Sequence, residues 1–568
     1  MKQLMLTNQA VARGAYEAGV KVVSSYPGTP STEITEFIAK YDEIYSEWAP
    51  NEKVAVEVAV GASFAGVRSM ACMKHVGVNV AADPLFTASY TGVNGGMVLV
   101  VADDPAMHSS QNEQDSRLYA RSAHVPMLEP AGSGEAKEYV KRAYEISEAY
   151  DTPVMLRLTT RIAHSQSFVE TQERVEPAPK PYVKNVDKYV MMPAMAKGRH
   201  LVVEAREKRL AADAETSDLN RVERRSNQLG IVTAGACYQY VKEATDASIF
   251  KLGMVYPLPI EAIRKFAATV DRLLIVEELE PFIENQLKAH GIACEGKSIF
   301  GLQGEFSVAF LREKLYGTPA PASEVKVPGR PPVMCAGCPH RGVFYVLKKL
   351  GCTVSGDIGC YTLGALQPLA ALDLCVCMGA SVGMAHGFDK AGSERTRKMV
   401  AVIGDSTFVH SGITGIINAV YNQGTSTTII LDNSITGMTG HQQNPATGKT
   451  IKGDITAKLD LEALMKACGV PSVRVVDAYD LAAVEAVVKE EIAREAVSVI
   501  IARRPCALLD KHYPAPLSID RDKCRKCKMC LKIGCPAIEH IGGVVRINKE
   551  LCVACGVCTE LCKFDAIK

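Results

Sequence analysis

The chain has 568 residues, 47% of them apolar and 22% charged, with a formal net charge of +1. At roughly 150 residues per domain that is room for about four domains, and so neutral a balance excludes nucleic-acid binding as the main activity. The start, MKQLMLTNQAVARGAYEAG, carries Lys2, Arg13 and Glu17 instead of an apolar signal core, and no apolar run nears the ~20 residues of a membrane span, so a cytoplasmic protein without membrane contact is expected.

Residues 1–165 read as α/β. A helix is expected at Asn8–Gly19, then a strand at Val20–Ser25 and a turn at Tyr26-Pro27-Gly28-Thr29-Pro30, with Ser31 as the N-cap of the next helix. A further helix is expected from near Glu57, where Ala59, Gly61, Ala62, Ser63, Ala65 and Gly66 permit close packing. Glu57 by itself is an acidic residue suited to a helix start. Strands follow at Ser69–Lys74 and Met97–Ala102. After each comes a polar stretch: Lys74 to Asn79, and Asp103 to Pro105 with His108 to Asp115. Both lie where ligands bind parallel sheets, so they read as a substrate-facing rim.

Residues 166–228 are a charged linker, with a solvated helix pair expected over 204–227. Residues 229–320 form a small α/β domain with strands at Gly230–Thr233, Lys251–Met254 and Arg272–Glu277. A proline-rich linker, Pro319 to Pro332, leads to a domain over 333–514. It opens with Cys335-Ala336-Gly337-Cys338-Pro339-His340-Arg341 and continues with Gly356-Asp357-Ile358-Gly359-Cys360.

Within it, Met399–Ile403 reads as a buried strand ending in Gly404-Asp405-Ser406. A helix follows, with Ile413, Ile416, Ile417 and Val420 on one face, and a second strand, Thr427–Leu431, ends at Asp432-Asn433. Asp405 and Asn433 thus bring hard oxygens to the carboxyl edge of one sheet. Mg²⁺ accepts a few protein oxygens and completes its octahedron with ligand phosphates, so the unit suits a Mg²⁺-diphosphate.

These residues resemble the thiamine-diphosphate (ThDP) motif, GDG and then Asn about thirty residues on. Here Asn433 follows Asp405 by 433 − 405 = 28 positions, and Ser406 stands for the last glycine. The resemblance implies Mg²⁺ held by Asp405, the Asn433 side chain and the Ile435 carbonyl, with Gly404 and Ser406 beside the diphosphate. It makes 1–165 the pyrimidine-binding domain, with Tyr26, Pro27, Gly28 and Thr29 near the cofactor. Glu57 becomes the buried glutamate that shares a proton with the aminopyrimidine, with Glu52 the alternative. Residues 229–320 resemble the third domain of transketolase-like chains.

Nineteen cysteines without a secretory signal point to metal rather than disulfides. Eight lie in residues 515–568, as Cys524-x2-Cys527-x2-Cys530-x4-Cys535-Pro536 and Cys552-x2-Cys555-x2-Cys558-x3-Cys562. This is the two-cluster ferredoxin comb, in which each fourth cysteine serves the other [4Fe–4S] cluster. One cluster takes Cys524, Cys527, Cys530 and Cys562, the other Cys552, Cys555, Cys558 and Cys535. Zinc sites use paired CxxC units instead.

Taken together, the motifs resemble the 2-oxoacid:ferredoxin oxidoreductases. Within these the chain resembles the ThDP-binding α subunits of indolepyruvate:ferredoxin oxidoreductases. That implies several doubly wound α/β domains and an α+β ferredoxin domain. It also implies oxidative decarboxylation of an arylpyruvate with CoA, a ThDP carbanion passing electrons through the clusters to ferredoxin. A small β subunit resembling the γ domain of pyruvate oxidoreductases is the implied partner. Relatives also hold a proximal cluster, for which Cys335, Cys338, Cys360 and Cys506 are the candidates here. Pyruvate or 2-oxoglutarate as substrate, a non-oxidative decarboxylase and a pure electron carrier are the competing readings.

Overall fold

The computed structural model describes residues 2–319, 327–329, 331–392 and 399–568. Most of the expected 319–332 linker lies outside the described residues. The chain forms two compact units, Met1–Lys326 and Val327–Lys568.

In the first unit, Ser69–Lys74, Met97–Asp103 and Val154–Thr159 are buried along their whole length, as strands are when helices cover both faces. Alternate residues feed two cores: Ala71, Met73, Leu99 and Val101 on one side, Met70, Cys72, Val98 and Val100 on the other. The sheet has seven strands, in the order Met254–Tyr256, Met127–Leu128, Val154–Thr159, Met97–Asp103, Ser69–Lys74, Val22–Ser25, Tyr45–Trp48. All are parallel except Met254–Tyr256, which pairs antiparallel with Met127–Leu128. The expected strand Lys251–Met254 is therefore two strands. Ala247–Leu252 belongs to a second sheet, ordered Arg272–Val276, Ser226–Ala234, Ala247–Leu252, Arg221–Glu223, whereas Met254–Tyr256 returns to the first.

Two other expectations are corrected. The helix expected from near Glu57 begins at Glu52 and runs to Phe64, because the Asn51 side chain accepts the Val54 amide and caps it. The helix pair expected over 204–227 is the end of one long helix, Pro193–Ala214, and then strand. That helix buries Val203, Arg206, Leu210 and Ala214, a spacing of three and four that the dense surrounding charge conceals.

The second unit holds a five-stranded, all-parallel sheet ordered Thr353–Ser355, Met399–Gly404, Thr427–Asp432, Ser498–Arg503, Ser472–Asp477. The tail adds a hairpin, Ile538–Ile541 with Val544–Ile547. It turns at Gly542-Gly543, both with positive φ, as a tight hairpin requires. Ile533, Val545, Val557 and Leu561 of the tail share one apolar core with Val343, Val402 and Leu481, so the tail is packed onto this sheet. No helix among the described residues is long and apolar enough to cross a membrane.

Candidate functional site

Asp405 follows directly on the buried strand Met399–Gly404 and opens a short helical turn. Its neighbour across the sheet is the end of Thr427–Asp432, since Gly404 registers with Leu431. The Asp405 carboxylate is buried, accepts the Ser406 amide on Oδ1 at 2.8 Å, and leaves Oδ2 without a partner. Burial, and behind it the charge of Asp432, pushes this carboxyl up to about 8. The Asn433 amide turns one polar atom to the Ile435 carbonyl at 2.8 Å and to Asp405 Oδ1 at 3.2 Å. With nitrogen there the amide donates to both; with oxygen there, three oxygens converge as they do around a hard cation. The donor set and the orphaned Oδ2 fit Mg²⁺.

The Gly356–Cys360 loop lies on this turn. A Cβ at Gly404 or at Gly359 would collide with the Tyr361 ring, and the Thr407 and Tyr361 hydroxyls both donate to the Ile358 carbonyl, at 3.0 and 2.9 Å. Cys360 is thereby brought to Asn433: a Cβ at Gly437 would stand 3.4 Å from Cys360 Sγ and 3.8 Å from Asn433 Nδ2. Cys506 joins them, its amide donating to the Asn433 carbonyl at 2.9 Å. Burial, then Cys506 and Cys335, pushes the Cys360 thiol up to about 11, and burial pushes Cys338 up to about 12. Cys335 and Cys506 thus lie close enough to Cys360 to act on its thiol.

In the tail, one cavity is lined by Cys524, Cys527, Cys530 and Cys562, and another by Cys535, Cys552, Cys555 and Cys558. Each fourth cysteine crosses to the other comb, as the spacing predicts. The second cavity is also lined by Cys338 and Arg341. Among the described residues no three His, Cys, Asp or Glu side chains converge on a single-ion site.

In the first unit, Tyr26 and Pro27 are buried and Gly28 and Thr29 half-buried. A Cβ at Gly28 would touch Lys74 Cβ at 3.0 Å, so this turn lies on the start of the 74–79 stretch. Glu57 does not occupy the position expected of it. It lies in the second turn of its helix, with its side chain 46% exposed and paired to Lys53. The buried carboxylate at the helix start is Glu52, 4% exposed. A Cβ at Gly77 would stand 2.6 Å from Glu52 Oε1, so the glycine makes room for it.

The expected rim divides. Lys74 is buried with Nζ donating to the Ser109 carbonyl at 2.7 Å, and burial pushes it down to about 8. His75 beside it is buried with Nδ1 unpartnered, and burial lowers its pKa. His108, by contrast, is a surface residue 3.2 Å from Glu305. Asp103 and Asp115 belong to a buried ion network: Asp103 and Glu129 each meet Arg157 at 2.7 Å, while Asp115 and Glu277 meet Arg117 at 2.6 and 2.7 Å. Sequence reasoning passed over this network and His410. The latter is buried on a single π-turn, Phe408–Gly412, five residues after Asp405, and such turns recur at functional sites.

Three family models match the chain. They are the thiamine pyrophosphate enzyme C-terminal TPP-binding domain over residues 357–502, the thiamine-diphosphate-binding region of pyruvate flavodoxin/ferredoxin oxidoreductases over 13–223, and the 4Fe-4S binding domain over 545–568. The indolepyruvate oxidoreductase subunit IorA of Archaeoglobus fulgidus is 39% identical over all of this chain and 97% of its own length. That of Methanothermobacter marburgensis is 40% identical over 99% and 97%. The pyruvate synthase subunit PorA of Methanothermobacter thermautotrophicus is 29% identical over only 33% of this chain and 49% of its own length.

Proposed function

From the premise that the chain belongs to the indolepyruvate oxidoreductase IorA subunit family, we propose that it oxidises arylpyruvates, indolepyruvate among them, to aryl-acetyl-CoA. The coarser reaction class is that of a ThDP- and iron–sulfur-dependent, ferredoxin-linked 2-oxoacid oxidoreductase. The proposed reaction takes the 2-oxoacid anion and CoA to acyl-CoA, CO₂, one proton and two electrons, each electron leaving to a ferredoxin. The observation that carries the aryl reading is the extent of similarity: it is end to end with the indolepyruvate subunits and partial with the pyruvate subunit.

ThDP, when bound, supplies the electron sink that lets a 2-oxoacid lose CO₂. Asp405, the Asn433 amide and the Ile435 carbonyl would hold its Mg²⁺, with Gly404 and Ser406 beside the diphosphate. Glu52, not Glu57, would share a proton with the aminopyrimidine. Its support is its burial at the helix start and the room Gly77 leaves for it. Tyr26 to Thr29 and Lys74 would line the same edge. Two [4Fe–4S] clusters would sit in the two crossed cysteine quartets. A third, nearest to Asp405, would be held by Cys335, Cys338, Cys360 and Cys506. A smaller β subunit completes the enzyme.

The test is anaerobic purification with the partner subunit, cofactor analysis, and a 2-oxoacid panel with CoA and a low-potential dye. Indolepyruvate and phenylpyruvate should exceed pyruvate and 2-oxoglutarate in kcat/KM; a preference for pyruvate would sink the aryl reading. Iron should approach about twelve per chain, four per cluster, and fall by about a third in Cys360→Ala. An unchanged iron content in that variant would remove the third cluster.

A further inference from the structure

Arg341 is 5% exposed and has no carboxylate partner among the described residues. Its side chain donates only to backbone carbonyls: Nε to Cys335 at 3.1 Å, Nη1 to Ile533 at 3.3 Å and to Gly534, and Nη2 to Met334. A guanidinium keeps its proton in any protein environment. Burying one without a counter-charge costs several kcal/mol, even where dipoles replace its water. In the first unit Arg117 and Arg157 meet carboxylates, whereas Arg206, 4% exposed, has only backbone carbonyls and a serine hydroxyl. What distinguishes Arg341 from Arg206 is the cysteines around it. Arg341 keeps its charge where only thiols and carbonyls surround it.

Its position says what charge it meets. The guanidinium binds the loop carrying Cys335 and the residue just before Cys535, so it spans two groups of cysteines. It lines the cavity of Cys535, Cys552, Cys555 and Cys558, and not the cavity of Cys524, Cys527, Cys530 and Cys562. Gly534 shapes the contact: its backbone is left-handed, and a Cβ there would press on Arg341 Nη1 at 3.3 Å and on Pro368. Four thiolates around an iron–sulfur core carry net negative charge, and nearby charge is one of the terms that set such a centre's potential.

We propose that Arg341 is the built-in counter-charge of the iron–sulfur centre at Cys535, Cys552, Cys555 and Cys558, and that it raises the reduction potential of this centre above the value it would otherwise have. The inference rests on the cluster reading given above. Functionally, it makes this centre easier to reduce, while the Cys524 centre, whose cavity Arg341 does not line, feels the charge less.

The test is an anaerobic redox titration, followed by electron paramagnetic resonance, of the complete enzyme carrying Arg341→Gln or Arg341→Lys. Arg341→Gln should disfavour reduction of the Cys535 centre about tenfold, a downward shift of about 59 mV for a one-electron couple, and move the Cys524 centre less. Arg341→Lys keeps the charge and loses the fork, so its potentials should stay near those of the unaltered enzyme. Equal shifts in both variants, equal shifts in both centres, or none in Arg341→Gln would overturn the proposal. If Arg341→Gln loses its iron, Arg341→Lys decides alone, and a tenfold shift there refutes the charge role. If Cys558→Ala loses no iron, the cluster reading falls and this proposal with it.

Discussion

The carboxyl edges of the two large sheets are both crowded with polar groups, but they pair their charges to different extents. In the first unit Asp103, Asp115, Glu129 and Glu277 close on Arg117 and Arg157. In the second, Asp405 leaves an oxygen unpartnered, Asn433 faces two oxygens, and Arg341, beside the cysteines, donates only to carbonyls. Groups that satisfy one another hold a fold together. Groups left unsatisfied in a buried place await something brought from outside. The first unit has such atoms too, His75 Nδ1 among them and Glu129 Oε2 and Arg157 Nη2 within the ion network itself, so the contrast lies in the charged pairs and not in every polar atom.

The sharpest way to break this contrast is at Asp405. Asp405→Ala should abolish Mg²⁺-dependent ThDP binding, seen by calorimetry, and with it turnover, while iron content stays intact. A variant that binds ThDP normally would leave the unpaired oxygens of this edge without a purpose. Next in size is the pair of glutamates. Glu52→Gln should retain ThDP and lose roughly 10²–10⁴ in kcat, the range for a lost acid–base group, whereas Glu57→Gln should turn over almost normally. The reverse result would restore Glu57 to the role expected from sequence.

The closed network predicts effects on stability instead. Arg117→Met leaves Asp115 and Glu277 buried without their partner and should cost about 3–5 kcal/mol of stability, visible as a lower midpoint of thermal unfolding with ThDP affinity unchanged. Glu278, at the same place, is raised by burial to about 7 from an ordinary 4.5. Its folded form holds the proton more tightly than its unfolded form. Its stabilisation is therefore full below pH 4.5 and is lost as pH rises to about 7, at most ~1.4 kcal/mol per pH unit. Glu278→Gln should flatten that slope; an unaltered profile would place the titration elsewhere. The smallest effect concerns the tail, where 516–568 carries ten Lys and Arg against six Asp and Glu, a net of 10 − 6 = +4. If Arg521, Lys523, Arg525, Lys526, Lys528 and Lys532 steer an acidic ferredoxin, its reduction should slow about threefold or more between ~0.05 and ~0.5 M salt. A rate indifferent to salt would leave these charges only a solubilising role.

What the sequence made legible was whatever lies close along the chain. The cysteine combs, the Gly404-Asp405 turn with Asn433 one crossover later, and the buried strands around them are all patterns of local spacing. Glu57 looks like a helix start only while the cap at Asn51 is overlooked: the helix begins at Glu52, five residues earlier. The ion network was illegible because its members come from residues 103 to 277, and no local pattern distinguishes a paired Asp103 from one that faces a ligand. Arg341 stands at the end of a cysteine motif, yet its isolation from carboxylates is a property of three-dimensional surroundings only.

The strand Met254–Tyr256 carries a consequence for how the first unit comes apart. The chain leaves the seven-stranded sheet, lays down three strands of the second, returns for this one strand, and only then adds Arg272–Val276. The two sheets are thus stitched through one another. Neither has a complete set of neighbours until the other is in place, so a nick near residue 228 would not release two independent folds. Amide exchange in the two sheets should accordingly report one shared opening event, and grafting this region onto another scaffold would require moving both sheets together.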